Sequence, residues 1–474
     1  SPSLIMPFPY TLPTTSTISY PSYFESPLYP ALSLATSSHR GTLRNALKAH
    51  KRLPAASQAC NIPFIIKHLE SYLAHLLALH DTLTAGDSFF KEGAPRLTTS
   101  WRTVLSARRV AAKGPPRVAR PGLSYEIFWS ISTLGYAYTL LARSQLQGIL
   151  APPSSNTASG GATDAAAAAN SLNQATANLF TSASIFQHLL TRPLPPHASS
   201  WPPDLSPQVL SALSSISLSA ATLSAVTRQD PYPTYLSIIA TEKKQQKSKE
   251  WLYNPPAPPA GVRALLIARL CVAASDHAAK ALGLLSTAEK TDAGEIGEEL
   301  LRYTDSLQRV SRAKACRFLG IDAEAAGRVG EGISWIRCAK TILNASSSTS
   351  SVGSFVGDRL RRKDDAWGAD AGKVDEEKTL DALEGRWKKL NDSVMFQKCP
   401  DLGELMGRIP TGREFHQSVK SWEPPKLGVD ELRALRATGD LGAEVVIEEE
   451  DSEEEAAGVG TDGGGNYAGR GGYY

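Results

Sequence analysis

The segment Gly261-Val262-Arg263-Ala264-Leu265-Leu266-Ile267-Ala268-Arg269-Leu270-Cys271-Val272-Ala273-Ala274-Ser275-Asp276-His277-Ala278-Ala279-Lys280-Ala281-Leu282-Gly283-Leu284-Leu285 has no proline and an apolar residue in every turn, so it is expected to be a helix. On a helical wheel Leu265, Ala268, Val272 and Ala279 fall on one side. Leu266, Leu270, Ala273 and His277 fall nearly opposite. A surface helix carries one apolar stripe. Two stripes mean either that the helix is packed on both sides, or that one stripe is an exposed face open to a partner's amphipathic helix.

The same 3.6-residue period continues outward in both directions. Asn61 to Leu83 places Ile62, Ile65, Ile66, Leu69, Tyr72, Leu73, Leu76 and Leu77 on one face. Tyr125 to Gln147 mixes aromatics with small residues, a composition that lets neighbouring helices approach closely. Ala165 to Leu190 is a further helix, and Ser206-Pro207 supplies an N-cap hydroxyl and a first-turn proline for a helix reaching about Arg228. Asp292 to Leu319, Asp322 to Leu343 and Asp375 to Leu390 follow, with Asp292 and Glu295 spaced as a capping box. Gly41 to Leu53 is read as a short basic helix. Strand signal is confined to Trp101–Leu105 and Arg117–Leu123, which flank the basic segment Arg108 to Pro116 and predict one small hairpin. Eight or more helices with almost no strand give an all-α fold, a stack of helix pairs.

Composition divides the chain. Residues 1–5 read as an extension upstream of Met6, and 6–36 as an extended arm rich in Pro, Ser, Thr and Tyr. A Ser/Gly/Ala linker spans 152–164, a proline-rich insertion 230–259, and a flexible loop 345–372. Residues 428–474 have the composition of a disordered acidic and Gly-rich tail. Within it Val445-Val446-Ile447 runs into the acidic stretch Glu448 to Glu455, the form of a SUMO-interacting motif, although a solubilising acidic tail is the favoured reading. The net charge of +3 conceals an asymmetry: the last thirty-four residues carry −8 and the remainder +11. Between Arg40 and Arg120 there are 14 Lys and Arg against 4 Asp and Glu, which suits an anionic membrane surface or an acidic partner better than sequence-specific nucleic-acid binding.

Five widely spaced cysteines with no CxxC pair argue against a disulfide framework and for a reducing, intracellular setting. No apolar run reaches the ~20 residues of a membrane span. GxSxG, P-loop and HExxH motifs are absent. His68, His75 and His80 share a helix but lack further ligands at metal-site spacing, so no metal or other cofactor is expected.

Six local patterns occur in one order between residues 100 and 402: Ser100-Trp101-Arg102, Ser124-Tyr125-Glu126, Asp204-Leu205-Ser206-Pro207, Leu266-Ile267-Ala268-Arg269-Leu270, Val329-Gly330-Glu331-Gly332-Ile333 to Cys338-Ala339, and Asn391-Asp392-Ser393-Val394 to Cys399-Pro400-Asp401-Leu402. Together they resemble the BRO-one domain family. Met6 to Thr15 and Ile409-Pro410-Thr411-Gly412-Arg413-Glu414 resemble its fungal pH-response branch. The resemblance implies a curved helical domain with a tetratricopeptide-like core. It also implies an apolar patch that takes the C-terminal amphipathic helix of an ESCRT-III subunit of the Snf-seven type. Leu266 and Leu270 match patch positions and Leu223 is a neighbour; Leu266 and Leu270 are expected to be at least partly exposed. The implied role is that of a non-catalytic adaptor in ambient-pH signalling. It would work beside a receptor complex at the plasma or endosomal membrane and support proteolytic activation of the transcription factor PacC under alkaline conditions. The alternatives are a general endosomal-sorting scaffold and an enzyme with an unrecognised site.

Overall fold

The computed structural model describes residues 4–107, 117–150, 161–245, 258–259, 261–289, 291, 294–345, 370–415 and 421–437. Twelve helices are found among them: α1 (Leu32–Arg52), α2 (Ala55–Ala85), α3 (Leu123–Leu150), α4 (Gly161–Thr191), α5 (Pro207–Gln229), α6 (Tyr232–Gln245), α7 (Ala264–Ser286), α8 (Glu298–Ala325), α9 (Val329–Asn344), α10 (Lys373–Leu390), α11 (Leu402–Met406) and α12 (Val429–Ala437). With α6 set aside, each helix from α1 to α5 and from α7 to α10 packs on the next, and α5 packs on α7. This is the all-α stack expected. Five short strands precede α3: β1 (Phe24–Glu25), β2 (Phe89–Phe90), β3 (Thr98–Arg102), β4 (Ser106–Ala107) and β5 (Arg117–Pro121); the predicted hairpin is β3 antiparallel to β5, with Trp101 opposite Val118.

The aromatic and small residues of α3 work as a pair. Gly135 lets the Phe186 ring of α4 approach so closely that a Cβ would sit 2.7 Å from it. Ser206 caps α5 by accepting from the Val209 amide, with Pro207 in the first turn. Helix α5 is long and apolar enough to cross a membrane, yet 89% of its most apolar window is buried in the protein.

Buried carboxylates tie the stack to its flanking segments. Glu126 accepts from Arg40 Nε (2.8 Å), Tyr72 OH (2.8 Å) and Trp101 Nε1 (2.7 Å), joining α1, α2, β3 and α3. Asp204 accepts from the amides of Val104 (2.7 Å) and Leu105 (2.8 Å) and from the Ser106 hydroxyl. Glu376 on α10 binds Lys314 (2.7 Å) and Arg317 (2.6 Å) of α8, and Arg317 also reaches Asp230 (2.6 Å).

Several segments depart from the sequence expectations. Leu4 and Ile5, read as an upstream extension, are buried, and the arm that follows is held by Tyr303 OH on Met6 O and Arg143 Nη1 on Pro7 O. The basic helix starts earlier than Gly41, at Leu32. The proline-rich insertion begins as α6, because Pro233 lies in its first turn, where the missing N–H breaks no helical bond. Helix α8 starts at Glu298 with Gly297 as N-cap, not at a capping box; Asp292 lies outside the described residues. Residues 429–437, assigned to the tail, form α12. The segments 108–116, 152–160, 246–257 and 346–369 and the acidic motif beyond 437 also lie outside the described residues.

Candidate partner-binding face

Helix α7 follows Arg263, which caps it with no side-chain bond, and runs without interruption to Ser286. Its stripe of Ile267, Cys271, Ala274 and Ala278 is buried. Part of this contact is made with α5, where the Ser219 hydroxyl donates to Ala274 O (2.8 Å). The second stripe is divided. At the N-terminal turn its Leu266 is half-buried, beside Leu265 of the first stripe, which is 48% exposed. One turn further Leu270 is 5% exposed, and Leu223 of α5 is fully buried.

Leu266 is thus partly exposed and Leu270 is not, so the two do not form the single exposed patch that was expected. The stripe beyond Leu266 carries a strap from the chain's own C-terminal part. The Arg413 amide donates to Arg269 O (3.0 Å), and Arg269 Nε donates to Thr411 O (3.1 Å). Gly412 lies against Ala273 so closely that a Cβ there would stand 2.8 Å from the Ala273 nitrogen. His277 Nε2 meets Glu414 Oε2 at 3.0 Å, and the Phe415 ring stacks on Phe180 of α4. Arg269, Ala273 and His277 are spaced i, i+4, i+8, so the strap follows one line of the helix. Leu223 is buried for a different reason: α5 is enclosed along nearly its whole length.

The sequence marks residues 409–414 only by their resemblance and does not announce the strap. An extended segment that docks through backbone bonds carries no hydrophobic period. The one local signal was Gly412, a residue that permits close backbone approach.

Burial pushes the thiols of Cys271 and Cys316 up to about 12, which makes them poor nucleophiles. Among the described residues no group of three His, Cys, Asp or Glu is placed to hold a metal ion. His75 stacks on His39 at 4.0 Å between ring centroids, and His68 meets the edge of Phe64.

The family model of the BRO1-like domain matches residues 43–409. The pH-response regulator protein palC of Emericella nidulans is 30% identical over 91% of this chain and 92% of its own length. The protein of the same name from Cryptococcus neoformans is 26% identical over 88% of this chain and 92% of its own. Among solved structures, the ALIX BRO1 complex with CHMP4C superposes with a TM-score of 0.54 at 15% identity, over 89% of this chain and 96% of that one. ALIX bound to a viral late-domain peptide gives 0.51 at 16% identity, over 90% of this chain and 49% of that one. With a family match that spans the helical stack from α1 to the threshold of the strap, the chain belongs to the BRO1-like domain family.

Proposed function

We propose that this chain is a non-catalytic adaptor of fungal ambient-pH signalling that binds an ESCRT-III subunit of the Snf-seven type through the N-terminal half of α7. The observation that carries this is the N-terminal turn of α7, where Leu266 of the second stripe is half-buried beside the exposed Leu265 of the first, in a family whose ALIX member has been solved with CHMP4C. Two relatives named as pH-response regulators support the pathway. The adaptor brings ESCRT-III to receptor complexes at the plasma or endosomal membrane and supports proteolytic activation of PacC by a separate protease. The basic excess between Arg40 and Arg120 favours an anionic membrane surface as the place of assembly. Leu270 and Leu223 are buried and are not expected to touch the partner while the strap is seated.

The test is titration of the full chain with the C-terminal helix of the ESCRT-III subunit. Leu266→Asp is expected to abolish binding while leaving the thermal midpoint within a few degrees, because a substitution at a half-buried site at the end of the helix removes little packing. Undiminished binding by a folded Leu266→Asp protein would remove α7 from the interface. In cells lacking the protein, the same variant is expected to fail to restore PacC cleavage at alkaline pH.

A further inference from the structure

Helix α10 continues past Leu390 into a single wider turn of π type, Asn391–Met395, and the chain then changes direction at Phe396. Three consecutive apolar side chains stand in solvent here: Val394 is 63%, Met395 41% and Phe396 74% exposed. Phe396 is the most exposed large apolar side chain among the described residues. Its backbone is left-handed, with φ 49° and ψ 34°, a conformation that favours glycine or asparagine and is rare for a bulky residue. A run of three exposed apolar residues adds nothing to the core of this fold, and a polar residue at 396 would suit the turn better. Places where a sequence breaks its local rules without a gain inside the fold are places to look for an external partner.

The turn is fixed by its polar neighbours. The Phe396 amide donates to Asn391 O (2.8 Å), and Ser393 Oγ donates to Lys389 O (2.6 Å). The Asn391 side chain clasps Gln397: Oδ1 accepts from the Gln397 amide (2.9 Å) and Nδ2 donates to Gln397 O (3.0 Å). The Gln397 side chain reaches the junction of α8 and α9, where Nε2 donates to Gly327 O (2.8 Å) and Oε1 accepts from the Gly330 amide (3.0 Å). The clasp brings the two ends of the segment together, so Val394, Met395 and Phe396 form a tip and do not line a groove. Holding the backbone in advance lowers the ordering cost of inserting that tip elsewhere. Cations stand on both sides of the clasp: Lys388 and Lys389 end α10, and Lys398 follows Gln397. All three are exposed, and none makes an ion pair among the described residues. Asp392 is the one acid between Lys388 and Lys398, which leaves the segment net positive.

We propose that this tip inserts into the surface of an anionic membrane, with Val394, Met395 and Phe396 at the boundary of headgroups and acyl chains and Lys388, Lys389 and Lys398 among the headgroups. An apolar tip with flanking lysines fits that surface on both counts, burial of the apolar side chains and attraction of the cations to negative lipid. The long lysine stems let the ammonium groups stay at headgroup level while the shorter side chains go deeper. A protein partner would have to offer a pocket for the tip and acids for all three lysines, whereas a fluid anionic surface offers both without a fixed arrangement. The contact goes beyond the adaptor reading and uses no residue of α7 or of the strap.

The full chain is co-sedimented with phosphatidylcholine vesicles and with vesicles that also contain phosphatidylserine, at low and at high salt. Phe396→Asn suits the left-handed backbone and removes an exposed ring, so it is expected to keep the thermal midpoint of the parent. It is expected to weaken partition onto the anionic vesicles about tenfold. The pair Lys388→Gln and Lys389→Gln is expected to weaken it by a similar factor of about ten, less as salt rises. Hydrogen exchange in the unaltered chain gives a reading independent of any variant: anionic vesicles are expected to slow residues 393–398, and phosphatidylcholine alone is not. A parent chain that binds no vesicles, or a Phe396→Asn chain that binds the anionic ones as the parent does, overturns the proposal and leaves the tip to a protein partner. Vesicle binding with no slowing at residues 393–398 also overturns it and moves the membrane contact to another part of the chain, such as the basic stretch between Arg40 and Arg120. The variants leave α7 untouched, so binding of the ESCRT-III helix is expected to persist in them, and the two readings fail separately.

Discussion

Leu270 and Leu266 differ by one helical turn and by their surroundings, and the same substitution is expected to do opposite things at them. Leu270→Asp places a carboxylate at a site 5% exposed and is expected to cost on the order of 3 kcal/mol, read as a large fall in the thermal midpoint. Leu266→Asp is expected to fall by little. Glu126→Gln is a second residue-scale prediction. It strips the counter-charge from Arg40, which is almost fully buried, and is expected to cost roughly 3–5 kcal/mol in denaturant unfolding. A loss under 1 kcal/mol, within the range of an exposed pair, would mean that the cluster is not what holds α1 to α3. The residues that made the chain recognisable in sequence, Trp101, Glu126 and Asp204, are those with buried polar atoms to satisfy. Their partners Arg40 and Tyr72 were not legible. A contact across 86 or 54 residues leaves no trace in local spacing.

Helices were legible as elements wherever one face had to be apolar, and Ser206-Pro207 marked a start correctly because a cap is a local bond. Elements set by other forces were not. Helix α6 was hidden by prolines that a first turn tolerates, and α12 by an average taken over a charged tail, although its Leu435 packs on the core. The strap docks by backbone bonds and by the absence of a side chain at Gly412. Gly412→Val is therefore expected to lift it from Ala273: hydrogen exchange at the Arg413 amide should speed up while α7 keeps its helical signal. Since the lifted strap uncovers the stripe beyond Leu266, the variant should also bind the ESCRT-III helix more tightly. An unchanged Arg413 amide would show that the strap is anchored elsewhere, for instance by Phe415 on Phe180 or by Trp422, whose amide bonds Ser184 Oγ on α4.

At the scale of the whole molecule, four histidines and two ion-paired carboxylates act in the same direction with pH, while Asp204 and Glu324, raised by burial, act against them. Burial lowers the pKa of His39, His50, His68 and His188, with His75 adding to the effect at His39 and Glu431 opposing it. Folded histidines with lowered pKa values take up protons later than the unfolded chain does, so stability is complete above the ordinary histidine value of about 6.5 and declines as pH falls below it. Asp230 and Glu376, held below the usual carboxylate range by Arg317 and Lys314 against the opposing effect of burial, contribute a second stage. Their stabilisation is present above the ordinary carboxylate values of about 4 and is lost as pH falls through the lower folded values. Thermal midpoints at constant ionic strength should thus be level from neutral to mildly alkaline pH and fall first across the histidine range. They should fall again in acid, where carboxylates that refuse protons in the fold accept them in the unfolded chain. His39→Gln is expected to flatten the first stage in part. Glu376→Gln is expected to lower stability at neutral pH, because it leaves Arg317 and Lys314 short of a counter-charge, and to shrink the acid stage at the same time. A variant that lost stability at neutral pH but kept the full acid stage would assign that stage to other carboxylates. The ion cluster joining α8, α10 and Asp230 would then be a packing device that does not set the acid limit of the fold.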